Sequence, residues 1–252
     1  MDYKVLAAAI QRWITRVVEE AGRLGVVLGL SGGLDSGVGA ALSAGALGPE
    51  RVLALSMPCG GDPDDVADAR RLADVLGLEL KPIDLSPVLK ALVEVGGAPA
   101  SDTMALANAK ARMRMVTLYA HSEGRLVQGT SNLSELSVGY WTKWGDGAAD
   151  FLPQAGLYKD EVRQLAEALD LPRWLVDREP SAGLWEGQTD EGEMGVSYRQ
   201  IRCFFDPAYA REHPGALTPE AADKIENLVA RNRHKMEPIP GFDARGWISE
   251  NG

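Results

Sequence analysis

Residues 3–22 place apolar side chains at Val5, Leu6, Ala9, Ile10, Trp13, Ile14 and Val17 among polar neighbours, the spacing of a helix with one buried face. Gly22 and Gly25 stop that helix. The next run, Gly25-Val26-Val27-Leu28-Gly29-Leu30, is short, β-branched and apolar on both faces, which predicts a central strand of a parallel sheet. Ser36 to Leu47 is small and apolar, a helix able to lie close against such a sheet. Strands at 51–57 and 78–85 alternate with helices over 64–77 and 86–95. A long helix over 102–122 leads into a fourth strand at 126–129. This alternation predicts an α/β fold: a doubly wound, Rossmann-like parallel sheet with helices on both faces, in a single domain spanning 1–252.

Two stretches break the pattern. Residues 137–159 are rich in Gly, Asp and aromatics without a clean period. Residues 178–195 are too polar and glycine-rich to bury a core, which predicts a mobile loop, with a mobile C-terminal segment over 232–252.

Charge narrows the partners. The chain carries 36 Asp+Glu against 26 Lys+Arg, a net charge of -10, and a field of that sign repels nucleic acid and anionic membranes. Any anionic ligand must therefore meet basic groups concentrated locally. Cys59 and Cys203 stand far apart without metal-ligand spacing, which argues against a disulfide framework. The first residues carry no basic stretch followed by a long apolar one, and no eighteen-residue apolar run follows. The expected compartment is the cytoplasm.

The candidate chemistry begins at Gly29-Leu30-Ser31-Gly32-Gly33-Leu34-Asp35-Ser36, between the first buried strand and the helix after it. Glycines at 32 and 33 let main-chain N–H groups approach an anion, and the helix N-terminus adds partial positive charge. Ser31 and Ser36 supply hydroxyl donors. Asp35 would repel phosphate by itself, so its presence implies a bridging divalent cation. No Gly-Lys-Ser/Thr follows, so this is not a Walker A loop. The Gly-x-Gly-x-x-Gly spacing of dinucleotide folds also fails.

The string Ser31-Gly32-Gly33-Leu34-Asp35-Ser36 resembles the pyrophosphate-binding loop of N-type ATP pyrophosphatases. These enzymes cleave ATP between the α and β phosphates, adenylate a carbonyl or carboxylate oxygen, and let nitrogen or sulfur displace AMP. Further motifs choose among them. Asn108-Ala-Lys110-Ala-Arg112-Met-Arg114-Met115 lies on the long helix, with Asn108 and Arg112 on one face. Gly129-Thr130-Ser131-Asn132-Leu133-Ser134-Glu135 follows a strand, where ligands of parallel sheets bind. There Glu135 reads either as a helix cap or as a second carboxylate on the metal. Gly139 to Asp150 combines aromatic rings, Lys143, Asp146 and Asp150, and Leu157-Tyr158-Lys159 opens another helix.

Together with Pro180–Leu184, Gly187–Asp190 and His234-Lys235, these motifs resemble the ammonia-dependent NAD synthetases over about residues 25–240. The resemblance implies ATP on residues 29–36 with Thr130, Lys159 and Ser181, and Mg2+ on Asp35 and Glu135. It implies deamido-NAD on Asn108, Arg112, Lys143, Asp150, His234 and Lys235, and counts Asp35, Lys159 and Asp146 as the catalytic group. It also implies a homodimer. Ser56 stands where some members place an ATP-contacting arginine, and Ser181 where many have threonine. Glutamine-dependent members carry an amidase domain too large for 252 residues, which leaves ammonia as the expected direct donor. A tRNA-modifying relative would want a basic surface, and a non-catalytic nucleotide-binding module would not need the pair Asp35 and Glu135.

Overall fold

The computed structural model describes residues 1–60, 63–97, 101–178, 180 and 189–251. The first half follows the predicted alternation: α1 (Tyr3–Glu20), β1 (Gly25–Gly29), α2 (Leu34–Leu47), β2 (Val52–Ser56), α3 (Pro63–Leu76), β3 (Glu79–Pro82), α4 (Ser86–Gly96), α5 (Thr103–Ala120) and β4 (Arg125–Gln128). All strand pairs are parallel, in the order β3-β2-β1-β4. Successive strand residues point to opposite faces. Val26, Leu28, Val52 and Ala54 therefore join one core with α1, α2 and α3. Val27, Leu55 and Val127 join a second with Leu89 of α4 and Met113 and Leu118 of α5. The sheet is thus doubly wound, with helices on both faces.

α2 is buried almost end to end, and small residues let it lie deep. A Cβ on Gly37 would stand 2.7 Å from Leu175 and 3.0 Å from Leu72, closer than packed carbon atoms tolerate. β3, expected over 78–85, is a short exposed edge strand. It ends at Pro82, which has no N–H to extend a ladder.

The chain continues as α6 (Leu133–Val138), α7 (Lys159–Ala168), α8 (Arg173–Val176), α9 (Asp190–Met194), α10 (Tyr198–Phe205), α11 (Pro207–Glu212), α12 (Pro219–Met236) and α13 (Ala244–Asn251). Val138, Met194, Ile201, Ile225 and Leu228 build a satellite core among α6, α9, α10 and α12. Part of the loop expected over 178–195 lies outside the described residues, but its last stretch forms α9, with Asp190 and Met194 buried. The segment expected over 232–252 begins inside α12, where Asn232 is buried and donates to the Val138 carbonyl at 2.9 Å.

The sheet order sets the position of the site. β2 and β3 add to one side of β1 and β4 to the other, so the connections diverge between β1 and β4. Ligands of open parallel sheets sit beyond the strand ends at such a switch point. The glycine loop and residues 129–135 leave the sheet there.

Candidate active site

Gly32 takes φ +79, a left-handed angle that favours glycine. Behind it the Ser31 and Ser36 hydroxyls meet at 3.1 Å, and Ser36 donates to the Gly33 carbonyl at 3.0 Å. The loop is therefore braced by its own serines before any ligand arrives. Asp35 follows in the first turn of α2, and Gln154 Nε2 donates to its backbone carbonyl at 3.0 Å.

Across the crevice, Asn132 and Glu135 form the capping box that starts α6. One Glu135 oxygen accepts from the Asn132 backbone at 3.2 Å. The other, Oε1, accepts from Asn132 Nδ2 at 2.7 Å, Lys159 Nζ at 3.3 Å and Tyr198 Oη at 3.3 Å. Glu135 is thus a helix cap through one oxygen, while its other oxygen meets Asn132, Lys159 and Tyr198. Asn132 Nδ2 also reaches Asp35 Oδ1 at 3.0 Å, and Lys159 Nζ reaches Asp35 Oδ2 at 2.5 Å. Lys159 comes from the first position of α7, where Ser134 accepts its backbone N–H at 3.1 Å.

A third carboxylate, Asp190, completes the centre. Tyr198 donates to it at 2.7 Å and Tyr140 at 3.4 Å, while Tyr140 also donates to Glu193 at 2.8 Å. Three carboxylates thus face one lysine in a largely buried space; the side chains of Lys159, Glu135 and Asp35 are 6, 16 and 18% exposed. Burial, reinforced by Asp35 and Asp190, outweighs Lys159 and raises the Glu135 pKa to about 7. Burial also raises Asp190. For Lys159 burial acts downward, but the carboxylates prevail and hold its charge firmly. The centre is short of positive charge. Asp35 and Glu135, bridged by Asn132 and Lys159, suit a hard divalent ion that completes its shell with water and substrate phosphates. Among the described residues no group of three or more Asp, Glu, His or Cys is arranged to hold a metal.

Beyond α6 a second cluster assembles from loop residues 139–147, α5 and the end of α12. Lys235 donates to the Gly139 and Trp141 carbonyls at 2.8 Å each. Lys143 donates to the His234 carbonyl, and Arg112 Nε to the Lys143 carbonyl at 3.3 Å. Thr142 donates its hydroxyl to Asn108 at 2.8 Å, and its N–H to Asp146 at 3.0 Å. Solvent reaches Asp146, yet the protein around it still pushes its pKa up through desolvation. Lys235 is shifted down, also by desolvation.

Asp150 points elsewhere: Tyr119 Oη at 3.2 Å and the Val127 N–H at 2.7 Å donate to its carboxylate. Thr130 is half-buried just past β4, and Ser181 lies outside the described residues. Ser56 is buried at the end of β2, and beside it Arg114 Nε donates to the Met57 carbonyl at 3.2 Å. Cys59 packs between Leu55 and Leu85 with its thiol pushed up by burial, the state of an inert core residue. Cys203 is buried in α10.

Sequence reasoning gave no role to Gln154, Tyr198, Glu193 or Arg178. Arg178 Nη1 donates to the Gly32 carbonyl at 3.1 Å and pairs with Asp68 at 2.5 Å. The signal for Arg178 was its position at the start of the polar, glycine-rich stretch 178–195. Tyr198 had none, since a buried aromatic on an amphipathic helix reads as packing.

Comparison with known proteins gives the family. A model of the NAD synthase family matches residues 6–239. The chain is 45% identical over 244 residues to the NH(3)-dependent NAD(+) synthetase of Archaeoglobus fulgidus, covering 95% of this chain and 97% of that one. It is 40% identical over 245 residues to the enzyme of the same name from Thermococcus kodakarensis, covering 93 and 95%. Among solved structures it is similar to an NMN synthetase from Francisella tularensis, with TM-score 0.89 and 35% identity over 96 and 99% of the two chains. An NH3-dependent NAD synthetase from Campylobacter jejuni gives TM-score 0.81 and 31% identity over 96 and 100%. With a family model matched over nearly its whole length and relatives at 40 and 45% identity, the chain belongs to the NAD synthase family.

Proposed function

We propose that this protein amidates deamido-NAD to NAD with ATP and ammonia, through an adenylated intermediate. The observation that carries the reading is the carboxylate–lysine centre at the mouth of the glycine loop, where Asp35 and Glu135 share Asn132 and Lys159. The nicotinate carboxylate attacks the α-phosphorus of ATP, forming a P–O bond while the bond to the β-phosphate oxygen breaks and pyrophosphate leaves. Ammonia then adds to the activated carbonyl, loses a proton, and expels AMP.

The chain's residues divide this work. Residues 29–36 hold the leaving pyrophosphate through main-chain N–H groups and serine hydroxyls. Lys159 keeps its proton and offsets charge beside Asp35. Asp35 and Glu135 would hold Mg2+, which when bound would supply positive charge against the phosphates. Thr130 and Ser181 complete the ATP site. Arg112, Lys143, His234 and Lys235, with Asn108, form the dinucleotide side, and Asp150, exposed outside that cluster and held by Tyr119 and the Val127 N–H, would offer the dinucleotide its remaining acceptor capacity. Asp146, its pKa raised by desolvation, would take the proton that the attacking nitrogen gives up. We also propose a homodimer, whose surface would be supplied by the first helix, with exposed Val5, and by α5, with exposed Val116 and Tyr119, and a cytoplasmic site of action. No helix among the described residues is long and apolar enough to cross a membrane.

A second reading follows from the likeness to the Francisella tularensis NMN synthetase: the acceptor would be nicotinate mononucleotide. Incubation with ATP, magnesium and ammonium, offering each acceptor in turn, separates the two. The main reading expects AMP and NAD, with a higher kcat/KM for the dinucleotide; folded protein that makes neither AMP nor amide sinks both.

A further inference from the structure

The glycine loop contains no basic residue, yet it is read as the seat of a polyanionic leaving group. Lys159 is already engaged by Asp35 and Glu135. A second cation reaches the loop at Gly32, three residues before Asp35, and that cation is Arg178. Its Nη1 donates to the Gly32 carbonyl at 3.1 Å and lies 2.5 Å from Asp68 on α3. We propose that Arg178 is a pyrophosphate-binding residue, resting between Gly32 and Asp68 and turning onto the β- and γ-phosphates when ATP enters the loop. The inference rests on the adenylation reading and adds a residue to the same site.

Three observations support it. First, the arginine is carried by a rigid mount. Leu175 and Val176 of α8 are buried just before it, and Leu175 packs against Gly37 of the helix that the glycine loop opens. Arg71 stacks over Trp174 at 4.5 Å, tying α8 to the helix that carries Asp68. Second, the resting pair is exchangeable. Both side chains are 30% exposed, and ion pairs open to solvent hold weakly. A multivalent phosphate offers the planar guanidinium several acceptors that can replace Asp68. Third, the guanidinium already reaches the main chain of the loop that would hold the leaving pyrophosphate, at the Gly32 carbonyl, where a positive charge would offset the charge of that group.

The test uses the whole enzyme and compares two products as ligands. Pyrophosphate is measured as an inhibitor and by calorimetry, and AMP in parallel, for wild type, Arg178→Gln, Arg178→Lys and Asp68→Asn, with thermal melts to confirm folding. In Arg178→Gln the pyrophosphate inhibition constant and the KM for ATP should rise about 10- to 100-fold, the loss expected for charge-assisted hydrogen bonds. The AMP constant should move less than about twofold, because AMP lacks the phosphates in question. Arg178→Lys should recover part of the loss. Asp68→Asn should tighten pyrophosphate, because the arginine loses its resting partner. An unchanged pyrophosphate constant in Arg178→Gln overturns the assignment, as do equal losses for pyrophosphate and AMP. Weaker pyrophosphate binding in Asp68→Asn overturns the resting position. Absence of AMP formation by wild type is a separate failure, that of the adenylation reading itself.

Discussion

The two halves of the site are built on opposite principles. The side we assign to ATP gathers Asp35, Glu135, Asp190 and Lys159 at the ends of strands and helices, with side chains largely out of water. The acceptor side hangs Arg112, Lys143 and Lys235 from backbone carbonyls of a loop and a helix end, and Arg112 and His234 are exposed. Burial makes charge strong and costly, so the first half is organised before ligand arrives and the fold bears the cost. Exposure makes charge weak and adaptable, which suits a long substrate that must enter and leave. The first half should therefore control kcat and stability, the second mainly KM.

The hardest break is Lys159→Met. Asp35 and Glu135 would then face each other without the ammonium, and turnover should fall on the order of 1000-fold. Stability should fall by about 3 kcal/mol, the cost of stranding buried partners, read by denaturant unfolding.

Next comes Glu135→Gln, which separates function from stability. Its carboxyl has a folded pKa of about 7 against an ordinary 4.5, so the folded state keeps a proton that the unfolded chain releases. Native stability therefore declines as pH climbs from 4.5 to 7 and stays lowered above that. The glutamine cannot titrate. Without ligands the variant should match wild type below pH 4.5 and gain on it through this window, by up to about 3 kcal/mol. The raised Lys159 does not disturb the window, because its stabilising contribution persists until alkaline pH. Turnover should nonetheless drop roughly 100-fold. Melting curves against pH and a steady-state assay check both halves of the statement.

On the acceptor side, Lys235→Met should raise the KM for the dinucleotide about tenfold with kcat little changed. It should cost about 1 kcal/mol through the two carbonyl bonds it removes. Lys143→Met is the mildest, with a KM rise of roughly two- to threefold and no measurable change in melting, as expected for a partly exposed cation. If either variant lowered kcat as strongly as Glu135→Gln, the contrast between the halves would fail.

The same contrast explains what could be read from the sequence. Strands that alternate buried faces, such as Val26–Leu28, and a glycine loop whose ligand dictates its residues leave a local signature. Asp35, Glu135 and Lys159 were legible because each sits at a helix start next to such a signature. Gln154 and Tyr198 belong to the same centre but reach it through tertiary packing from aperiodic or core-like stretches, so nothing adjacent marks them, whereas Asp190 closes the Gly187–Asp190 motif without a role being legible there. The helix over Pro219–Met236 carries a full local signature: Thr218 caps it, Pro219 opens it, and Ala221, Ile225, Leu228 and Asn232 keep helical spacing. Its importance is that Asn232, docked on Val138, places His234 and Lys235 beside the 139–147 loop.

The central claim is that the ATP half of the site adenylates a carboxylate. Deamido-NAD carrying oxygen-18 in its nicotinate carboxylate tests this directly, with AMP and NAD analysed by mass spectrometry after turnover with ammonium. The account predicts one labelled oxygen in the AMP phosphate and one retained in the amide carbonyl of NAD. Unlabelled AMP formed alongside NAD would contradict it.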